Sequence, residues 1–205
     1  MKHWRFFPIL VKEEVLKNMD LSDRLSFSKC SKKCWNLLSR IPNHLDSFII
    51  PNRYQISVDD FLTLMTCRKS TIHILKVDIE SADDRDQVNQ FLLKLNKVRG
   101  ALKVKFLVMG VSPRYSEMHK KSIDSCDPSF IESIEIERLD SQEIYEHILK
   151  TPQWKNSRKV LLNLDFDGLL EVNINDFLHF KFINMKMEEL SVDDAWKLVQ
   201  VVRII

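Results

Sequence analysis

The chain has 205 residues, 44% hydrophobic and 29% charged, a balance that excludes a disordered chain and fits one ordinary domain or a small module joined to a larger one. With 31 Lys and Arg against 29 Asp and Glu, the net charge is +2, so no global field draws in nucleic acid or an anionic membrane. Three glycines in all exclude the clustered-glycine loops that cradle phosphates and dinucleotides.

No apolar run approaches the roughly 20 residues that span a bilayer. Near the N-terminus Lys12, Glu13 and Glu14 interrupt the apolar residues before a signal-peptide core forms. Cys30, Cys34, Cys67 and Cys126 are too few and too scattered for a secreted disulfide framework. The expectation is an intracellular protein, in cytoplasm, nucleus or both, with neither a membrane nor a nucleic-acid partner.

In chain order, Phe6 to Ile41 predicts three short helices. Pro8 suits the start of the first, and Val11, Val15, Leu16 and Met19 recur at helical spacing along one face. Asp20 and Ser22 are N-cap types for a second helix holding Leu25 and Phe27. Cys34, Trp35, Leu37 and Leu38 form the apolar side of a third, opposite Lys32, Lys33 and Arg40, and Pro42 ends it. A segment of about thirty-five residues hides too little surface to hold a core alone, so it needs a partner. Residues 42–55 read as a linker.

From there helix-like and strand-like patterns alternate. Strands are expected at Ile72 to Glu80, Leu102 to Met109, Phe130 to Glu137, Lys159 to Phe166 and Phe180 to Met187. Their midpoints lie about 21 to 31 residues apart, in or near the range of leucine-rich repeats. Amphipathic stretches fall between and beside them: Val58 to Thr66, Arg85 to Val98, Glu117 to Ser125, Gln142 to Lys150 and Ile174 to His179. Repeating a right-handed strand, helix, strand unit builds a curved α/β solenoid with a mostly parallel sheet. Ser57-Val58-Asp59-Asp60 and Ser191-Val192-Asp193-Asp194 open two helices alike, each serine a cap and each acid pair favouring the helix N-terminus.

Strict alternation assigns Val77, Ile79, Val104, Phe106, Ile134, Ile136, Leu162, Leu164, Met185 and Met187 to the core. The opposite row is Lys76, Asp78, Lys103, Lys105, Glu135, Glu137, Asn163, Asp165, Asn184 and Lys186, the candidate surface for gripping a protein by charge complementarity. The cluster Lys94, Lys97, Arg99, Lys103 and Lys105 neighbours Asp78, Glu80, Glu135 and Glu137, which favours a cross-strand charge ladder over a phosphate track.

No constellation carries chemistry. Cys30 and Cys34 with His44 lack the second close pair of a structural zinc site. Asp165 and Asp167 read as a solvated turn before Gly168. His73, His119, His147 and His179 fall in different units, with no nucleophile motif beside them. No catalytic residue, metal or cofactor is expected.

Phe7-Pro8, Val15-Leu16, Met19-Asp20, Asp23-Arg24-Leu25 and Ser28 to Lys32, followed by Trp35 and Leu38, resemble an F-box, with Phe7 where leucine is usual. The resemblance implies docking on the Skp-type adaptor of a cullin-RING, SCF-type ubiquitin ligase. On it, Phe7, Pro8, Val15, Leu16, Met19, Leu25, Cys30 and Trp35 divide between the helical core and the adaptor groove. From about Ile56 onward the chain is similar to the FTH domain that follows an F-box in many nematode proteins. Gln153-Trp154-Lys155 and Asp176 to Lys181 are the distinctive pieces. Members of that family usually continue beyond the point where this chain ends in Val201-Val202-Arg203-Ile204-Ile205, so an apolar end, exposed or paired, is expected.

The organisation expected is then a helical docking module at 1–41, a linker at 42–55, and an FTH-like repeat domain at 56–205 that is short at its C-terminal end. The function implied is a non-enzymatic substrate-recognition adaptor. The alternative is a repeat-type interaction scaffold acting outside any ligase, its leading helices merely sealing the first strand.

Overall fold

The computed structural model describes residues 6–38, 41–50, 61–62, 65, 70–78, 93–98, 100–110, 116–139, 141–163, 172–186 and 191–202. Helix α1 spans Ile9–Lys17, with Pro8 held extended just ahead of it. Helix α2 spans Leu21–Lys29; its cap is Asp20, which accepts the Asp23 N–H at 2.7 Å. Helix α3 spans Lys32–Leu38. Leu16, Phe27, Leu37, Leu38 and Ile41 close a small core of their own, with Met19 and Cys34 leaning on it.

That core is not the module's only support. Leu25 turns the other way, into the larger core under the sheet. Beside it, Arg24 donates to the Met19 carbonyl at 2.9 Å and to Asn43 Oδ1 at 3.0 Å. The Asn43 N–H in turn donates to Ser70 Oγ at 3.1 Å, and its carbonyl accepts the Thr71 N–H at 2.8 Å. These bonds run from the helical module to the edge of the sheet.

The stretch expected as a linker contains a strand. β1, His44–Ile50, lies alongside β2, Thr71–Asp78, in parallel register with Leu45 opposite Ile72 and Phe48 opposite Leu75. The five strands expected from sequence follow as β2, β3 (Val104–Gly110), β4 (Ser133–Arg138), β5 (Lys159–Asn163) and β6 (Phe182–Lys186). Among the described residues the sheet has six strands in the order β1-β2-β3-β4-β5-β6, each parallel to its neighbours. Every connection therefore adds a strand to the same growing edge.

Inward side chains recur at a fixed spacing that is not strict alternation. Ile72, Leu75 and Val77 are buried, and so are Val104, Leu107 and Met109, then Ile131, Ile134 and Ile136. Ser157, Val160 and Leu162 repeat the spacing, and Phe180, Ile183 and Met185 close the series. Two consecutive residues stand between the first and second member of each set, exposed or half-buried except Ser133, which is buried. Phe106 is one of them: it is half-buried, its ring edge-on to His73 at 4.8 Å. It is not the core residue that alternation assigned, and Leu107 takes that place. Val77, Val104, Ile134, Ile136 and Leu162 are buried as expected, whereas Ile79, Leu164 and Met187 lie outside the described residues.

Helices cover the inward side. α4 (Ser116–Ser125) buries Met118 and Ile123, and α5 (Gln142–Lys150) buries Ile144, Tyr145 and Ile148 behind a cap at Ser141. α6 (Pro152–Asn156) is capped by Thr151, which accepts the Trp154 N–H at 3.2 Å. Trp154 is buried edge-on to Phe177 and Phe180, centroids 5.6 and 4.9 Å away, and its indole N–H reaches the Asp176 carbonyl at 3.3 Å. The distinctive tryptophan step and the Asp176 to Lys181 run thus meet in one joint between β5 and β6. A 3₁₀ turn, Ile174–Phe177, forms the start of that run. α7 (Val192–Val202) begins at Ser191, whose hydroxyl oxygen accepts the Asp194 N–H at 3.1 Å. The matching cap at Ser57 lies outside the described residues, although Phe61, Leu62 and Met65 after it are helical and buried. Among the described residues no helix is long and apolar enough to cross a membrane.

Candidate functional site

Two surfaces stand out. The first is α1 and the residues ahead of it: Phe6, Phe7, Ile9, Leu10, Val11 and Val15 are all exposed, Leu10 at 73% and Val15 at 44%. Pro8 fixes the chain's approach while Leu16, fully buried, anchors the opposite side of the helix in the small core. A helix apolar on more sides than one core can cover leaves a bare stripe.

The residues expected to contact an adaptor divide accordingly. Phe7, Pro8, Val15 and Cys30 are exposed, Met19 and Trp35 half-buried, and Leu16 and Leu25 sealed in the two cores. Phe6, Ile9, Leu10 and Val11 join the stripe although the sequence reading did not single them out as contacts. Their signal was the unbroken run Ile9-Leu10-Val11, which puts apolar side chains on successive faces of a helix.

The second surface is the outward face of the sheet. One row across it runs Ile49, Lys76, Val108, Glu135, Leu161, Asn184 in direct register. Lys76, Glu135 and Asn184 therefore share a level, but Val108 and Leu161 separate them. Lys76 bridges to Glu137 two strands away, at 2.8 Å. Lys105 sits a level lower, 3.5 Å from Glu132, with its ammonium 5.6 Å from the centre of the Phe106 ring. Lys103 precedes β3, and Asp78, Asn163 and Lys186 occupy the far ends of their strands. Asp165 lies outside the described residues.

The ladder expected between Lys103 or Lys105 and Asp78, Glu80, Glu135 or Glu137 takes other partners: Lys105 pairs with Glu132, and Glu137 with Lys76, while Glu80 lies outside the described residues. Apolar groups share this face: Ile49, Ile74 and Phe182 are exposed, and Phe106, Val108 and Leu161 half-buried. A row read as polar and mixed in sign is in fact amphipathic. The inward spacing of three then two, rather than alternation, would have located these residues.

The titratable groups elsewhere do not converge. His119 is buried, and burial holds its imidazole down to about 4. His147 stands 3.4 Å from Asp124 in a shallow groove of about 310 Å³ between α4 and α5, beside Glu117 and Lys120. His179 meets the Trp154 carbonyl at 3.0 Å. The Cys126 thiol, buried, is pushed up to about 12. Cys34 takes a hydrogen bond from Ser31 at 3.2 Å, and Cys30 is exposed. Among the described residues no three His, Cys, Asp or Glu side chains are grouped to hold a metal.

Comparison with known proteins bears on both surfaces. The family model described as FTH domain matches residues 86–203, and the one described as F-box domain matches residues 4–46. No curated protein and no solved structure matches the chain.

Proposed function

Because this chain belongs to the FTH-domain family and carries an F-box ahead of that domain, we propose that it docks a protein substrate on an SCF-type ubiquitin ligase by holding two partners at once. An F-box implies a substrate-adaptor role in such ligases, and F-boxes bind Skp-type adaptors of cullin-RING ligases. Here the α1 stripe is the docking surface and the outward sheet face the receptor. The protein does no chemistry of its own; it raises the local concentration of substrate at the conjugating enzyme. Such a role places it inside the cell, in cytoplasm or nucleus.

The observation that carries this reading is the stripe itself. Phe6, Phe7, Leu10 and Val15 stay exposed while Leu16 beside them is sealed, which favours a module built to be completed by another protein. For the receptor, the support is the inward spacing at positions one, four and six, which is similar to the L-x-x-L-x-L core of leucine-rich repeats. With a strand order that never reverses, it favours a one-sided solenoid presenting an extended face. The division into a docking module at 1–41 and a repeat domain is part of the same proposal, the repeat starting at β1, within the 42–55 stretch expected as a linker, rather than at 56.

Co-expression of the full chain with a Skp-type adaptor, followed by gel filtration, tests it. The expected result is one co-eluting complex. A chain that is monomeric and ignores the adaptor would favour a scaffold acting outside any ligase.

A further inference from the structure

Register brings together cations that are far apart in sequence. At the start of β5 and β6, Arg158 and Lys181 share a level, the Lys181 N–H donating to the Arg158 carbonyl at 2.8 Å. One residue on, Lys159 stands opposite Phe182 in direct register. All four side chains are exposed, Phe182 at 50%. Elsewhere on the face Lys76 pairs with Glu137 and Lys105 with Glu132, and Glu135 adds a negative charge to the row. Arg158, Lys159 and Lys181 have no carboxylate partner among the described residues. The nearest acid on their level, Glu132, is engaged by Lys105.

The face therefore carries paired charges and the Glu135 carboxylate on the β2 to β4 side and is positive at the start of β5 and β6, with an aromatic ring beside the positive charge. Arg158 and Lys159 are consecutive at the start of β5, and Lys181 lies one strand over at the start of β6, roughly 4.8 Å away by the usual strand separation. A polyanion or an extended acidic segment lying across the strands could meet them, and Phe182 gives an apolar side chain a place to bury beside the carboxylates. A ring beside cations can also stack a base, but the net charge of +2 supplies no general attraction for a nucleic acid, which favours the peptide.

We propose that the β5 to β6 end of the outward face recognises an unmodified acidic segment of a protein, Asp and Glu residues on Arg158, Lys159 and Lys181 with an apolar side chain on Phe182. This rests on the reading of that face as a receptor and names the class of segment it takes. Rim charges of this kind set association rate and salt dependence more than residence time, so binding weakens steeply as ionic strength rises.

The test is selection from a random 12-residue peptide display library against the intact chain and against a variant carrying Arg158→Glu, Lys159→Glu and Lys181→Glu. These exposed positions leave the core untouched, and circular dichroism confirms that both proteins are folded. The expected result is enrichment of peptides combining Asp or Glu with an aromatic or aliphatic residue. A synthesised winner should lose about tenfold or more in affinity to the triple variant, with a smaller loss to Phe182→Ala. Three results overturn the proposal: acidic peptides that bind the triple variant equally, a single-stranded oligonucleotide that outcompetes them at these residues, or no enrichment of acids. Neutral peptides that are selected instead and lost on Val108→Glu would overturn it while leaving the outward face as a receptor.

Discussion

Lys76 on β2 and Glu137 on β4 join their charges over the top of β3, with Nζ at 2.8 and 3.0 Å from the two carboxylate oxygens. Gly110 on that strand stands beneath the pair, where a Cβ would lie 3.8 Å from the Glu137 oxygen. That distance is ordinary contact, so Gly110→Ala fits and should leave Tm within about 2 °C of the parent. Gly110→Leu reaches into the path of the pair and separates it. Because both partners are about a third exposed, Glu137→Gln should cost no more than about 1 kcal/mol in a urea melt. A loss of several kcal/mol would give this pair a structural weight that its exposure does not support.

His119 makes stability depend on pH. Its folded pKa, about 4, lies below the ordinary 6.5 because burial disfavours the charged ring. Between those values the unfolded chain takes up a proton that the native state declines. Stability is therefore full above about pH 6.5, falls as pH drops toward 4, and loses on the order of 3 kcal/mol across the window. Replacing His119 by Gln should flatten the slope of unfolding free energy against pH in that range, whatever the change in its absolute level. An equal slope in the variant would contradict the assignment.

Trp154 ties the segment ahead of β5 to the one ahead of β6. It fills the space between Phe177 and Phe180, and Gln153 next to it donates to the Cys126 carbonyl at 2.7 Å. Trp154→Ala should cost about 3–5 kcal/mol in chemical denaturation. Hydrogen exchange at β6 should rise before that at β2 and β3, since the joint it removes lies at the β6 end. A uniform rise, or a loss below about 1 kcal/mol, would speak against a local joint.

How much of this was legible follows from the spacing of the inward residues. The five strands from β2 to β6 announced themselves as apolar runs. β1 did not, because Asp46 and Ser47 stand together between Leu45 and Phe48 and hide the pattern from a reading in twos. The same outward pair, Lys105 and Phe106, put Phe106 on the wrong side. On the helical module the sequence supplied the contact residues as a set, yet which of them face out depended on where Leu16 and Leu25 found burial. Arg158 and Lys159 are neighbours in sequence, but the positive end they form with Lys181 was beyond any local pattern, since only the β5 to β6 register brings Lys181 and Phe182 beside them.

The central claim is that α1 offers an uncovered apolar surface to a Skp-type adaptor. Leu10→Glu with Val15→Glu alters exposed side chains only, so the thermal melt should be unchanged, in contrast to Leu16→Ala, which opens a cavity worth about 2–5 kcal/mol. Calorimetric titration of the full chain with the adaptor is the direct measurement. The double variant should bind at least about a hundredfold more weakly than the parent while melting at the same temperature; equal affinity in the two proteins would contradict docking through this surface.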